Sequence, residues 1–212
     1  MFNKIKLLLI IITILPTLIL AEQSTASIKE NIDYKTIQPI PSSTDHSFHD
    51  PKKIYVTEFM SYHCGHCYLM TKQLRLWASS HPEIVLQTQQ VVYQNYFTEF
   101  AKINATITAL NHPEWNEIIF KAVQQDNQNL EDINTLKNIL KKNLTNKEYN
   151  KFMSVYESFA ISNIPNQYKQ DTTTHNITAT PTIYIQTKNN NYEIMPNSPE
   201  RVITVAEQLI KK

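Results

Sequence analysis

Gly65 is the only glycine in this chain of 212 residues. Average usage, at about 7%, would supply roughly 15. A fold with many tight turns needs residues at positive φ, which glycine reaches without steric cost. With glycine almost absent and asparagine abundant, turns are expected to fall to Asn and Pro, and helix is favoured over a many-turned β architecture. The one glycine stands between the only two cysteines, in Cys64-Gly65-His66-Cys67.

The N-terminal stretch sets the compartment in which that pair works. Lys4 and Lys6 precede a 14-residue apolar run, Leu7–Leu20, closed by Ala21. As a helix the run spans about 21 Å at ~1.5 Å per residue, short of a ~30 Å hydrocarbon core. It reads as a cleavable export signal, residues 1–21, with cleavage after Ala21. No cysteine lies near its end to take a lipid, and no later segment is long and apolar enough to span a membrane. The chain ends Ile210-Lys211-Lys212, without an endoplasmic-reticulum retention tetrapeptide, so the expected compartment is the periplasm. A lone Cys-x-x-Cys in an oxidising compartment points to thiol–disulfide chemistry. A formal net charge of +1 argues against nucleic acid and polybasic membrane binding as functions.

Residues 22–50 read as a polar tether with one short strand near Tyr34–Ile37. A first part of the main domain, 51–95, contains a buried strand (Ile54–Phe59), the cysteine motif, a helix and a second strand (Ile84–Tyr93). On that helix Cys67, Met70, Leu74 and Trp77 recur on one face, and Ser79-Ser80-His81-Pro82 stops it. An all-helical subdomain follows over 96–172. Tyr96, Phe100, Ile103, Ile107 and Leu110 mark its first helix, Trp115, Ile119 and Val123 its second, and Ile133, Leu136 and Leu140 its third. A Thr145/Glu148 capping box opens a fourth, with Tyr149, Phe152, Met153, Tyr156 and Ala160 on one face and Pro165 as its breaker. Residues 173–212 return to a hairpin, Pro181–Ile185 with Tyr192–Met195, and a last helix capped by Ser198 with Pro199 at its first position. The order β-β-α-β, helices, β-β-α is an α/β, thioredoxin-like pattern with an inserted all-helical subdomain.

A strand running into a helix N-terminus puts Cys64 where unpaired N–H groups and the helix dipole favour a thiolate. Cys67, one turn on and on the apolar face, is the resolving thiol. His66 is placed to add a positive dipole or charge beside Cys64. Stabilising the thiolate stabilises the reduced form and makes the disulfide a better oxidant.

The stretch Glu58-Phe59-Met60-Ser61-Tyr62-His63-Cys64-Gly65-His66-Cys67-Tyr68 resembles the active-site segment of DsbA-type thiol:disulfide oxidoreductases, and the resemblance runs from about Tyr34 to the C-terminus. It implies a dithiol oxidase without a cofactor, acting on unfolded or folding exported proteins with free thiols and re-oxidised by a membrane quinone-linked, DsbB-like partner. It also implies a cis-proline loop at Thr180-Pro181 that, with Gly65, contacts substrate, and a buried acid at Glu58 that assists proton transfer at Cys67. Tyr62 and Tyr68 are expected near a substrate groove. Two positions depart from the family pattern. The usual dipeptide is Pro-His where this chain has Gly-His, and Thr180 is similar to the isomerases DsbC and DsbG, where the oxidases carry Val. The reference potentials are about −120 mV for DsbA and about −180 mV for protein disulfide isomerase, roughly a hundredfold in equilibrium constant. A value nearer the isomerase's is therefore expected.

Three other readings attach to the same residues. One is a disulfide isomerase or reductase of the same fold. A second is a metal site, either copper at the soft cluster Met60, His63, Cys64, His66, Cys67 and Met70, or zinc at the cysteine pair with two ligands from His63, His66, His46 and His49. The third is a chaperone module whose cysteines do not turn over.

Overall fold

The computed structural model describes residues 27–38, 50, 52–195 and 198–212; the signal reading and most of the tether, His46 and His49 included, lie outside them. Among the described residues the strands are β1 (Tyr34–Ile37), β2 (Ile54–Met60), β3 (Ile84–Gln90), β4 (Thr182–Gln186) and β5 (Asn191–Ile194). They form one sheet in the order β1-β5-β4-β2-β3. β2 pairs in parallel with β3 and antiparallel with β4, so it lies inside the sheet, and β5 is antiparallel to both β4 and β1.

β2 is rich in β-branched and aromatic residues, which suit a strand paired on both edges. Alternation puts Val56, Glu58 and Met60 on one face, all fully buried, and Phe59 on the other, edge-on to Tyr184 with ring centroids 5.3 Å apart. Helix α1 (Gly65–Ser79) packs on the first face. Its buried stripe contains Cys67, Met70, Leu74 and Trp77, as the spacing requires, and it ends at the Ser80 cap. The stripe serves two cores. Met70, Leu74 and Trp77 join Val56, Ile183 and Ile185 against the last helix, α8 (Pro199–Leu209), whereas Cys67 joins Met60 and Tyr62 in a core built with the inserted helices. In α8 Val202, Val205, Ala206 and Leu209 are fully buried, and the Ser198 hydroxyl caps the Arg201 N–H.

Between β3 and β4 run α2 (Thr98–Leu110), α3 (Asn116–Gln124), α4 (Ile133–Asn143), α5 (Asn146–Tyr156), α6 (Phe159–Ser162) and α7 (Ile164–Thr174). The Thr145/Glu148 capping box is formed in both directions. Every non-helical corner at positive φ is an asparagine among the described residues: Asn31, Asn111, Asn127 and Asn176. Asn111 ends α2 in the left-handed conformation at φ 55°.

Three sequence expectations are corrected. β3 stops at Gln90, not Tyr93, because beyond it the Val92 N–H is taken by the Thr172 hydroxyl of α7 at 3.1 Å. The fourth helix of the insert ends at Tyr156, and Ser158 caps a new short helix, leaving Ala160 exposed and off the apolar face of α5. Pro165 does not break a helix; it sits in the first turn of α7, where a missing N–H costs nothing.

Candidate active site

Cys64 is the N-cap of α1, with φ −90° and ψ 113°, half-exposed, and both cysteines are free thiols. The loop before it is tied down closely. The Cys64 N–H donates to the Ser61 carbonyl at 2.9 Å, and the Cys67 N–H returns to the Cys64 carbonyl at 3.1 Å. Across the sheet, Cys64 Sγ lies 3.3 Å from the carbonyl oxygen of Thr180, to which it donates while protonated, and the Thr180–Pro181 bond is cis. Residues 116 apart in sequence thus meet at the reacting sulfur.

The two thiols have opposite characters. Cys64 is lowered from 9.0 to about 5, first by the hydrogen bond from the Cys67 thiol, then by the Thr180 side chain and by the N–H groups of Cys67 and His66, with burial opposing. Cys67 is pushed far up, mainly by burial, then by donating to Cys64 and by the charge of Glu58. At neutral pH Cys64 is a thiolate beside a protonated, inaccessible partner. The two thiols are told apart by environment alone.

Glu58 is fully buried on β2. Thr71 of α1 donates to its Oε1 at 3.0 Å, and its Oε2 has no hydrogen-bond partner among the described residues. Burial raises its pKa to about 8, so it is mostly a neutral acid at pH 7. The imidazole of His66 is exposed; what reaches Cys64 from this residue is its backbone N–H. Gly65 is exposed at the first position of α1, with nothing within 4 Å of where a Cβ would lie and no positive φ. Tyr62 does not line a groove: it is fully buried and its hydroxyl donates to Asn116 Oδ1 at 2.5 Å. Tyr68 is half-buried and stacked on Phe120 at 5.4 Å. His63 packs edge-on to Phe100 at 4.7 Å and meets the Tyr96 hydroxyl at 2.8 Å through Nε2. Among the described residues no three His, Cys, Asp or Glu side chains converge as a ligand set.

Sequence reasoning missed the polar groups that hold the loop from α3, β3 and α2. Gln124, the last residue of α3, donates from Nε2 to the carbonyls of Tyr62 at 2.8 Å and Cys64 at 3.0 Å. Gln90 accepts the Tyr62 N–H at 3.0 Å, and Asn104 accepts the Gln90 N–H at 3.1 Å. Only Thr71 carries a sequence signal, as a polar residue four positions after Cys67 on the apolar stripe of α1.

Fold and site together define a member of a redox-active α/β class with a Cys-x-x-Cys at a strand-to-helix junction facing a cis-proline. The chain belongs to the thioredoxin family, whose model matches residues 51–204. In sequence it is similar to the thiol:disulfide interchange protein DsbA of Pseudomonas syringae pv. tomato, 25% identical over 76% of each chain. It is likewise similar to DsbA of Pseudomonas aeruginosa, 24% identical over 91% of this chain and 87% of that one. In structure it resembles reduced DsbA1 from Neisseria meningitidis, with a TM-score of 0.75, 25% identity, and 88% and 95% of the two chains covered. The fold is thioredoxin-like with an inserted helical region.

Proposed function

We propose that this chain is a thiol:disulfide oxidoreductase that introduces disulfide bonds into exported proteins in the periplasm. The observation that carries this reading is the split between Cys64, held as a thiolate at a helix N-terminus, and Cys67, buried and protonated. A substrate thiolate attacks Cys64 Sγ of the Cys64–Cys67 disulfide. The S–S bond breaks, and Cys67 leaves with the electron pair and takes a proton. Glu58, neutral at pH 7 and near enough for its charge to raise Cys67, is the proposed source of that proton. A second substrate thiolate then attacks the substrate sulfur of the mixed disulfide, which releases the substrate disulfide and leaves Cys64 as a thiolate. The substrate loses two electrons and the protein disulfide gains them.

Thr180, Pro181 and Gly65 border the sulfur and are the proposed contacts for substrate backbone. A membrane quinone-linked, DsbB-like protein is the proposed reoxidant, and the apolar N-terminal run is the proposed export signal. The proposed domain division places the insert at 96–172 between the two parts of the main domain. The reading is tested by glutathione equilibration of the Cys64–Cys67 couple. A potential near the isomerase value of about −180 mV is expected, and one below about −240 mV would remove the oxidase assignment.

A further inference from the structure

Beside the active-site loop lies a cleft of about 280 Å³ that the exchange reaction itself does not use. His63, the residue before Cys64, lines it together with Tyr96, whose side chain is 44% exposed. Val123 contributes an apolar contact, and Asn127, Asn129 and Glu131 come from the segment joining α3 to α4. Asn127 turns that segment at φ 49°.

The charge pattern of the cleft is specific. Glu131 is the only carboxylate in the lining, no Lys or Arg lines it, and Glu131 makes no ion pair among the described residues. His63 does not supply the missing cation: burial holds its pKa below the ordinary value, outweighing the upward pull of the Glu131 charge. Its Nε2 is also engaged by the Tyr96 hydroxyl at 2.8 Å. A carboxylate without an ion pair, a part-exposed aromatic ring, amide oxygens and one aliphatic contact are together the recognition set for a long cationic side chain. The stem lies on apolar surface while the head meets the ring face and the carboxylate.

We propose that this cleft is a subsite for an Arg or Lys side chain flanking the reacting cysteine of the substrate protein. The proposal rests on the oxidoreductase reading and names a preferred class of substrate for it. Glu131 and Tyr96 act on specificity and have no part in the bond exchange.

The test mixes oxidised protein with cysteine peptides that differ at one flanking position, carrying arginine or its neutral isostere citrulline. Loss of the protein disulfide is followed by acid quenching and mass spectrometry. The arginine-to-citrulline rate ratio is compared between the wild type and Glu131→Gln, which cancels any effect of arginine on the peptide's own thiol. At low salt the ratio should be about two- to fivefold higher in the wild type, the range set by an exposed ion pair with a cation–π contact, and it should shrink in high salt. Tyr96→Leu should reduce it in part. Equal ratios in wild type and Glu131→Gln, with the citrulline peptide still oxidised, would overturn the subsite alone. Failure to oxidise any peptide would overturn the oxidoreductase reading, and the subsite with it.

Discussion

Gln124 holds the carbonyl of Cys64 at 3.0 Å from the end of α3, 60 residues further along the chain. The same amide nitrogen holds the carbonyl of Tyr62 at 2.8 Å. The reactive cysteine is therefore positioned from the inserted helices as well as from its own helix. The loop conformation that aims the α1 N–H groups at sulfur depends on that clamp.

Gln124→Leu should raise the Cys64 pKa by about one unit, because a loosened loop aligns the helix N–H groups less well and a neutral hydrogen bond is worth ~1 kcal/mol. Thiolate absorbance followed against pH measures it. A Cys64 pKa unchanged in a folded variant would show that Gln124 contributes to stability only.

Gly65→Pro should stabilise the protein by about 0.4–1 kcal/mol, since proline restricts the unfolded chain and is favoured at the first helical position. Cys64 is already extended at ψ 113°, as a residue before proline requires, and no atom lies within 4 Å of a new Cβ. Denaturant unfolding of the oxidised form reads the gain; a loss of stability would mean that the loop needs glycine after all.

The two redox forms should respond to pH differently, because Glu58 titrates in both and Cys64 only in the reduced one. Glu58, raised from 4.5 to about 8, contributes stability that is fully present below its unfolded pKa and lost as pH rises through about 8. The oxidised protein should therefore weaken between about pH 4.5 and 8, and Glu58→Gln should flatten that slope. In the reduced protein Cys64, lowered from 9.0 to about 5, contributes stability present above its unfolded pKa and lost as pH falls through about 5. The stability of the reduced form relative to the oxidised form should rise from about pH 5 to 9. Urea unfolding of both forms across this range checks both signs, and parallel curves would contradict the Cys64 assignment.

Thr180→Val should raise the Cys64 pKa and make the disulfide less oxidising, the reverse of what the oxidases' Val suggests from sequence, because it removes the side-chain hydrogen bond to the thiolate while leaving the backbone carbonyl in place. Glutathione equilibration and thiolate titration should move together. A higher potential in the variant would show that Val acts on the oxidised form.

Local chemistry wrote much of this protein into its sequence. The period of Cys67, Met70, Leu74 and Trp77 defines α1, the Thr145/Glu148 box starts α5, and asparagine replaces glycine at the turns, because each depends on residues a few positions apart. Such rules failed at Pro165, where the same residue that breaks a helix interior opens a helix, and at Tyr93, where a side chain of α7 ends the ladder pairing. The motif identified the chemistry, and the resemblance supplied the expectation of a cis bond at Pro181. Only the tertiary structure decided the environment of the sulfur. Glu58 is neutral because β2 is covered by α1, Thr180 meets Cys64 because β4 lies beside β2, and Gln124 reaches the loop because α3 packs against it. Desolvation and long-range hydrogen bonds depend on what surrounds a group in space, and a sequence orders its residues only along the chain.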